Sequence, residues 1–309
     1  MHLTNTMPIE TKNKILITGG TGLVGNKLVK LLLKKGYSIN ILSRKKHPNL
    51  DRISYFKWNP ESDAIDVSCF EGVHCIINLA GAGVADKRWS KKRKDAILSS
   101  RINSLKTLGN AIRKHNIKID SLMSASAVGY YGLDDSKTYT EEDSSGTDFL
   151  ASVVSKWEKE VDKLQPHFSN IITLRIGIVL SKNGGAFTKM IEPIKMFVGA
   201  PLGTGNQPMP WIHIDDLCDL MLLAYENQWN GTFNAVSGNT SNSEFTKTAS
   251  ELLKKPLILP NIPSFILRVM FGEMAEMILE GSSVSGEKAL KNGFKPKFTK
   301  LKNAIKDLI

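Results

Sequence analysis

The sequence predicts an α/β fold, in which a doubly wound parallel sheet is followed by a smaller, mostly helical C-terminal part. Short apolar segments typical of buried strands alternate with amphipathic helical segments along most of the 309 residues. A glycine-rich turn joins the first strand to the first helix, and beyond about residue 256 the strand patterns give way to helical ones. This order predicts βαβ units, and the chain is long enough for one large domain with a small appendage.

The elements follow one another regularly. The first predicted strand, Lys14 to Thr18, leads through the glycine turn into a helix from about Gly22 to Lys35, which Gly36 closes. The other predicted strands are residues 38–42, 53–58, 73–79, 121–125, 171–180 and 232–236, and the other predicted helices are 91–114, 151–164 and 215–227. Connections of this kind are right-handed, which predicts a mostly parallel sheet covered by helices on both faces.

Composition divides the chain into three predicted parts. Residues 1–13 form a polar N-terminal extension, residues 14–255 the large sheet domain and residues 256–309 a small C-terminal domain. Glycine and proline are frequent between about 181 and 210, which predicts a long functional loop inserted into the large domain.

Several classes of protein are disfavoured. The three cysteines, Cys69, Cys75 and Cys218, are scattered and odd in number, so we expect neither a disulfide framework nor a zinc site. The N-terminus lacks an apolar signal region and no apolar run is long enough to cross a bilayer, so we expect a cytoplasmic protein without a membrane partner. The net charge is +11, and the densest basic cluster, between Lys87 and Lys94, is interpreted as the solvated start of a helix. The chain lacks a basic module with interleaved aromatic residues, so we expect no nucleic-acid partner.

The strongest motif is the glycine turn, Thr18-Gly19-Gly20-Thr21-Gly22-Leu23-Val24-Gly25. Gly19 permits the tight turn out of the strand, Gly22 lets the backbone approach a pyrophosphate, and Gly25 lets the helix pack closely on the strand. The N-terminus of the helix offers free N–H groups and a positive dipole to phosphates. Because the motif lies between a predicted strand and a predicted helix, it predicts a Rossmann dinucleotide site.

The end of the second strand favours NADP(H) over NAD(H). NAD-binding units usually carry Asp or Glu about 20 residues after the glycines, where the carboxylate holds the ribose 2′-hydroxyl. Here the chain reads Ser43-Arg44-Lys45-Lys46, with no carboxylate. A carboxylate would repel a 2′-phosphate, whereas Arg44 can bind one bidentately.

A third motif is Asn78-Leu79-Ala80-Gly81-Ala82-Gly83, at the end of the fourth strand. Its small residues would let the loop pass close to the adenosine side of a cofactor. By itself this segment is equally consistent with a plain turn.

Together, these residues resemble the extended short-chain dehydrogenase/reductase superfamily, and within it the subgroup called epimerase family proteins, which carry a small C-terminal domain. The resemblance covers about residues 14 to 305 and extends beyond the motifs above to Arg88-Trp89, Ser100-Arg101, Ser126 to Gly132, Trp157-Glu158, Arg175 to Leu180, Gly184 to Ala186, Pro210 to Asp216, Leu259-Pro260, Phe271 to Glu273, Leu279 to Gly281 and Gly293-Phe294. It implies an NADP(H)-dependent oxidoreductase or epimerase-like enzyme. It also implies cofactor contacts from Arg101 and Ile178, and Arg101 could reach the phosphates or pin the loop after Leu79.

The sequence departs from the superfamily at the catalytic pair. Relatives use a Tyr-x-x-x-Lys pair, in which the tyrosine is the acid/base and the lysine lowers its pKa. No tyrosine of this chain is followed by lysine at that spacing. On the helix around Trp157, one register puts Ser152 and Lys156 in the two places and another puts Leu150 and Val154 there, so the usual phenol is absent in both.

Ser126 and Tyr131 are the predicted catalytic residues. Ser126 follows a strand at the carboxyl edge of the sheet, where ligands bind in such folds. It would orient a carbonyl or hydroxyl group, and Tyr131, or its neighbour Tyr130, would replace the missing acid/base. The alternative is that both tyrosines only pack.

Two further polar positions have structural interpretations. Arg175 is expected to be an ion-pair partner, and Asp215 is expected to be the N-cap of the helix that follows His213. His213 as a catalytic base is the less favoured alternative.

The predicted function is reversible hydride transfer between NADP(H) and a small molecule, bound between the 199–210 loop and the C-terminal domain of a monomer or homodimer. The rival hypothesis is a non-catalytic sensor of the NADP redox state, which the missing Tyr-x-x-x-Lys pair favours.

Overall fold

The computed structural model describes residues 14–309, so the predicted N-terminal extension lies outside the described residues. The strands are β1 (Lys14–Thr18), β2 (Ser38–Ser43), β3 (Ile53–Asn59), β4 (Ala64–Ile65), β5 (Cys75–Asn78), β6 (Ser121–Ala127), β7 (Thr138–Tyr139), β8 (Asn170–Ile176), β9 (Ile178–Leu180), β10 (Pro208–His213), β11 (Gly231–Ala235), β12 (Gly238–Ser241) and β13 (Ser283–Val284).

The α-helices are α1 (Leu23–Lys34), α2 (Lys91–Lys114), α3 (Phe149–Asp162), α4 (Ala186–Lys195), α5 (Ile214–Glu226), α6 (Asn242–Leu253), α7 (Ser264–Phe271), α8 (Glu276–Leu279), α9 (Glu287–Lys291) and α10 (Leu301–Leu308). Short 3-10 turns occupy Val67–Phe70, Val128–Tyr131, Gln165–His167 and Gly272–Ala275.

The large sheet has eight strands in the order β11-β8-β6-β5-β1-β2-β3-β4, and its strands pair in parallel except for the edge pair β3 and β4. One face packs against α1 and α5, through side chains such as Leu28 and Leu217. The other face packs against α2 and α3, through Leu105 and Trp157. The predicted doubly wound parallel sheet is therefore confirmed.

A smaller layer lies beside the large sheet. It consists of the three-stranded sheet β12-β10-β9, packed against α4, α6 and the last helix, α10. A two-stranded sheet pairs β13 with β7 in parallel and so ties the C-terminal part to the loop before α3. Among residues 14–309 no helix has the length and apolar character that crossing a bilayer requires.

Two expectations about this region were wrong. The single strand predicted for residues 171–180 is broken at Gly177, so that β8 stays in the large sheet whereas β9 pairs with β10. A Cβ at Gly177 would lie 2.8 Å from the Pro210 carbonyl oxygen, and this close approach lets the chain change sheets. The segment predicted as a long loop, 181–210, contains the helix α4, which buries Phe187, Ile191 and Ile194.

Candidate functional site

The glycine turn is packed so closely that side chains cannot replace two of its glycines. Gly19 has a φ of +69°, and a Cβ there would lie 2.7 Å from the Leu79 carbonyl oxygen. A Cβ at Gly25 would lie 2.3 Å from the Gly19 carbonyl oxygen. The turn therefore brings the backbone of β1, the start of α1 and the end of β5 together at one point.

The start of α1 is open towards solvent. Its N-cap is Gly22, which provides no side-chain cap, and the first turn contains no acidic residue. Thr21 and Gly22 are exposed, whereas Leu23 and Val24 are half-buried. Among residues 14–309, no side chain accepts from the first N–H groups of this 12-residue helix, and these groups carry the positive end of its dipole. These residues fit the pyrophosphate of a dinucleotide, because they offer both donors and space.

Thr18 fastens the neighbouring loop to this turn. Its Oγ1 donates to the Asn78 side chain at 2.7 Å and accepts the backbone N–H groups of Leu79 and Ala80, each at 3.1 Å. These hydrogen bonds hold the loop of Leu79, Ala80 and Gly81 directly beside Gly19. The predicted adenosine-side segment is therefore held against the predicted pyrophosphate turn.

Arg101 pins the same loop from the other side. Its Nη1 donates to the Ala82 carbonyl oxygen at 3.0 Å and to the Ile97 carbonyl oxygen at 2.8 Å. A Cβ at Gly81 would lie 3.2 Å from the guanidinium carbon. Burial, with a smaller contribution from Arg93, lowers the pKa of Arg101 to about 10. These contacts correspond to one of the two roles expected for Arg101, the anchoring of the loop after Leu79.

The end of β2 lies next to the glycine turn, because β1 and β2 are neighbours in the sheet. Ser43 is buried, and its Oγ accepts the backbone N–H of Lys45 at 3.2 Å and lies 3.1 Å from His47 Nε2. The His47 ring stacks on Tyr55 with centroids 4.7 Å apart. Arg44 is exposed, and no residue within 14–309 makes a hydrogen bond or ion pair with its guanidinium. Arg44 is therefore available to an anionic ligand at this position.

Ser126 lies at the carboxyl edge of the sheet, but its proton is already engaged. Its Oγ donates to Glu158 Oε1 at 2.5 Å. Glu158 in turn forms a bidentate pair with Arg175, with distances of 2.9 Å from Nε and 2.8 Å from Nη2. Arg175 is thus an ion-pair partner, as expected. Glu158 belongs to the segment that carries the family resemblance, but no spacing in the sequence predicts its bond to Ser126.

Tyr131 is almost fully buried, with 2% of its surface exposed. Its hydroxyl donates to Asn234 Oδ1 at 2.7 Å and accepts from Arg175 Nη1 at 3.0 Å. Burial raises the pKa of Tyr131 to about 12, although Arg175 opposes the shift. The half-buried Tyr130 ring lies 3.4 Å from the Arg175 guanidinium carbon. Both tyrosines are therefore grouped around Arg175, beside Ser126.

Helix α3 places no phenol near Ser126. Leu150 is half-buried, and its Cβ lies 3.6 Å from the Cβ position of Gly129, while Val154 is buried. Lys156 is exposed to solvent, as a helix-surface residue would be. In neither of the two registers does α3 supply the tyrosine and lysine of the usual pair.

His213 and Asp215, near the start of α5, make contacts that stabilise the helix start and its packing. The prediction that Asp215 is the N-cap was wrong, since the cap is His213, whose Nδ1 accepts the Asp215 backbone N–H at 3.2 Å. The His213 ring is buried and stacks on Phe298 at 4.0 Å. Asp215 instead forms an ion pair with Lys27 of α1 at 2.6 Å. An imidazole can cap a helix in the same way as a carboxylate, but this use of histidine is too rare to be favoured from sequence.

Ile178 begins β9, opposite Trp211 of β10. The turn that follows β9 approaches the N-terminus of α1, because a Cβ at Gly185 would lie 3.0 Å from a methyl carbon of Leu23. A cavity of about 360 Å³ lies at the start of α3. The residues that line it include Trp89, Phe149 and Glu273. The segments around the glycine turn thus come from both sheets, and an open cavity lies between the starts of α2 and α3.

Comparisons with known proteins agree with this architecture. The sequence model of the NAD dependent epimerase/dehydratase family matches residues 15–235, and a domain of unknown function, DUF1731, matches residues 262–308. The chain is 34% identical to the epimerase family protein YfhF of Bacillus subtilis, over 96% of this chain and 97% of the relative. It is 32% identical to the epimerase family protein SDR39U1 of Mus musculus, over 96% of this chain and 99% of the relative.

Solved structures give the same result. The crystal structure of human epimerase family protein SDR39U1 (isoform2) with NADPH superposes with a TM-score of 0.84 and 29% identity, over 96% of this chain and 98% of the other. UDP-glucuronic acid 4-epimerase from Bacillus cereus in complex with NAD has the same fold, with a TM-score of 0.77 at 17% identity, over 95% and 96% of the two chains. The fold, the glycine turn and these similarities together show that the chain belongs to the NAD-dependent epimerase/dehydratase family.

Proposed function

We propose that the protein is an NADP(H)-dependent oxidoreductase or epimerase-like enzyme that transfers hydride to or from a small molecule. The observation that carries this proposal is the end of β2, where Ser43 and Arg44, which has no partner among residues 14–309, replace the carboxylate of NAD-binding units beside the glycine turn. The NADPH in the crystal structure of human SDR39U1 supports the same cofactor.

The cofactor would be held along the carboxyl edge of the large sheet. Gly19, Thr21, Gly22 and Gly25 would hold the pyrophosphate, with Leu23 and Val24 packing beneath it. Ser43 and Arg44 would bind the 2′-phosphate. The fixed loop Leu79–Gly81, anchored by Arg101, would face the adenosine side, and Ile178 would add an apolar contact. When bound, the nicotinamide would supply the hydride donor or acceptor.

Ser126 and Tyr131 are the residues that we propose for orientation and proton transfer. Because Ser126 donates its only proton to Glu158, its oxygen is left to accept a hydrogen bond, as from a substrate hydroxyl group. The Tyr131 hydroxyl accepts from Arg175, a cation that favours the phenolate as the lysine of the usual pair does. Proton transfer through Tyr131 requires its bond to Asn234 to open, and the less buried Tyr130 is the alternative acid/base.

The substrate is proposed to be a small carbonyl or sugar-nucleotide compound, bound between the 199–210 loop and the C-terminal part. The C-terminal part reaches the cavity near the start of α3 through Glu273, beside Trp89 and Phe149. We further propose a monomer or homodimer with no nucleic-acid partner. All three cysteines are buried and unpaired, which supports the proposal of a reducing, cytoplasmic environment.

A second candidate function is a non-catalytic sensor of the NADP redox state. It is favoured by the hydroxyl protons of Ser126 and Tyr131, which are both already donated to groups of the chain itself. In the sensor, the network around Arg175 would be structural.

Titrations of NADPH and NADH, followed by nicotinamide fluorescence, test the cofactor proposal. The wild type should prefer NADPH, and Arg44→Ala should weaken NADPH binding at least about tenfold while leaving NADH unchanged, because only the 2′-phosphate contact is lost. Lys35→Ala, which removes an exposed cation after α1, is the matched control. Equal affinity for the two cofactors in the wild type would contradict the proposal.

Turnover separates the enzyme from the sensor. Oxidation of NADPH would be followed by its absorbance against a panel of carbonyl compounds and nucleotide sugars, in the wild type and in Ser126→Ala, Tyr131→Phe and Tyr130→Phe. The enzyme proposal expects turnover that falls in Ser126→Ala and in one of the two tyrosine variants. Turnover that survives in the double variant Ser126→Ala/Tyr131→Phe rejects the assigned residues, and no turnover on any compound favours the sensor.

A further inference from the structure

Exposed apolar side chains are concentrated in one part of the molecule. Thirteen large hydrophobic side chains are exposed within residues 14–309, and nine of them lie between Met196 and Val198, at Ile258 and Leu259, and on α7. The other four, Leu50, Val67, Leu290 and Ile309, lie in four separate parts of the chain. Scattered apolar residues are ordinary on protein surfaces, whereas a concentration of this kind marks an interaction site.

The nine residues belong to neighbouring segments. The backbone N–H of Ile262 donates to the Pro201 carbonyl oxygen at 2.9 Å, and a bridge pairs Ile262 with Leu202. Seven residues earlier, the Lys255 ammonium lies 4.0 Å from the centroid of the Phe197 ring. The segments 196–203 and 255–264 therefore run side by side, and α7 begins where they end. We call this area the α7 surface.

Helix α7 turns an apolar face away from the protein. Leu267 is its only buried residue, whereas Phe265, Ile266, Val269 and Met270 are 67%, 38%, 73% and 59% exposed. Positions i, i+1, i+4 and i+5 share one side of a helix, so these four side chains form a continuous outward face. A helix that is apolar on its solvent side lacks the polar face of an ordinary surface helix, which indicates that another body covers it.

The charges on the α7 surface indicate what kind of partner would bind there. Residues 254–272 contain three cations, Lys254, Lys255 and Arg268, and no carboxylate. Residues 193–207 contain Lys195 and no carboxylate. The neighbouring carboxylates Glu192 and Glu273 are paired with Lys195 and Lys94, and α8 and the residue after it add the exposed Glu276 and Glu280 on one side. The surface thus presents apolar groups and cations together, which suits an apolar body with negative charge.

An anionic lipid surface meets both requirements. Apolar side chains of a short amphipathic helix enter the boundary between headgroups and acyl chains, and lysine and arginine at its edge attract anionic headgroups. A second copy of this chain fits less well, because a twofold contact would place the same cations opposite one another on molecules that each carry a net charge of +11.

We propose that the α7 surface docks the protein peripherally on an anionic lipid surface. This inference is independent of the proposed function. The sequence led us to expect no membrane partner, because no apolar run is long enough to cross a bilayer. A peripheral contact does not need such a run.

Co-sedimentation of the full-length protein with lipid vesicles tests the proposal. One set of vesicles contains phosphatidylcholine alone, and the other also contains phosphatidylglycerol. We expect salt-sensitive binding to the second set only. Phe265→Ser/Val269→Ser and Lys254→Glu/Lys255→Glu should each weaken this binding at least about tenfold. Unchanged circular dichroism and an unchanged urea unfolding midpoint would show that the variants fold.

Matched controls separate the α7 surface from general charge attraction. Leu50→Ser removes an isolated exposed apolar side chain, and Lys34→Glu/Lys35→Glu makes the same charge change at the end of α1. Both should keep binding within about threefold of the wild type. The proposal is overturned if neither vesicle binds, if the α1 charge change weakens binding as much as the change at Lys254 and Lys255, or if Phe265→Ser/Val269→Ser binds like the wild type. A dimer that Phe265→Ser/Val269→Ser abolishes, without vesicle binding by the wild type, would identify a second copy as the occupant instead.

Discussion

Replacing Glu158 by glutamine should destabilise the protein strongly, although the two side chains have nearly the same shape. In the wild type, Glu158 accepts from Ser126 and from two nitrogens of Arg175, and the exposed fractions of the Arg175 and Glu158 side chains are 5% and 13%. The amide of glutamine would turn an N–H towards at least one of these donors. A buried guanidinium would then lose its neutralising partner.

The size of the effect follows from burial. Removing one partner of a buried ion pair costs about 3–5 kcal/mol, because the other charge is left uncompensated. We expect about 3 kcal/mol, at the lower end, since Arg175 keeps its bond to the Tyr131 hydroxyl and its contact with the Tyr130 ring. With a urea m-value of about 3 kcal/mol/M, the unfolding midpoint would fall by about 1 M.

Equilibrium unfolding in urea, followed by circular dichroism, measures this change. Glu160→Gln is the matched control, because Glu160 lies on the same helix and is 14% exposed, close to Glu158, whereas its partner Lys163, at 2.6 Å, is 64% exposed. That control should cost no more than about 1 kcal/mol, because the lysine that loses its partner stays in solvent. If Glu158→Gln and Glu160→Gln shift the midpoint equally, the reasoning from burial is refuted.

Three further changes have defined outcomes. Gly25→Ala should abolish NADPH binding in a fluorescence titration, because its Cβ would lie 2.3 Å from a backbone oxygen of the turn, and retained binding would contradict the tight packing. His47→Phe should keep the stacking on Tyr55 but lose the contact with Ser43, so that NADPH affinity falls about three- to tenfold while NADH affinity stays unchanged. Burial lowers the pKa of His213, so the unfolded chain binds more protons and stability falls as the pH drops below about 6.5. His213→Asn, which keeps a capping oxygen, should flatten this fall in urea titrations between about pH 8 and pH 5, and an equally steep fall would exclude His213 as its source.

Most of the sheet domain could be predicted from sequence, because local patterns there agree with the tertiary structure. The helix predicted for residues 91–114 has those bounds in the structure, since Ser90 supplies a side-chain N-cap and basic residues fill its last turn. The glycine turn could be recognised because Gly19 and Gly25 are required by sterics, and steric requirements leave a visible pattern. The missing carboxylate after β2 could be recognised too, because its position follows from the spacing to the glycines.

The rest depends on contacts between residues far apart in the chain. The apolar run through Gly177 looks like one strand, and only the approach of Pro210 shows where it changes sheets. Glu158 is 32 positions from Ser126, and no spacing rule connects a mid-helix carboxylate with a serine at a strand end. The cap at His213 was missed because histidine is rarely an N-cap, and the packing of its ring on Phe298, from the last part of the chain, leaves no local pattern.

The position of α10 has a consequence for the order in which the chain can complete its fold. Leu301, Ile305 and Leu308 fill the core formed by α4, α6 and the smaller sheet, while Asp216 accepts the backbone N–H groups of Lys297 and Phe298. During synthesis the eight-stranded sheet can pair as soon as β11 has emerged, because its strands all precede residue 236. The smaller layer cannot be completed before residues 301–308 have emerged, so it forms after the eight-stranded sheet.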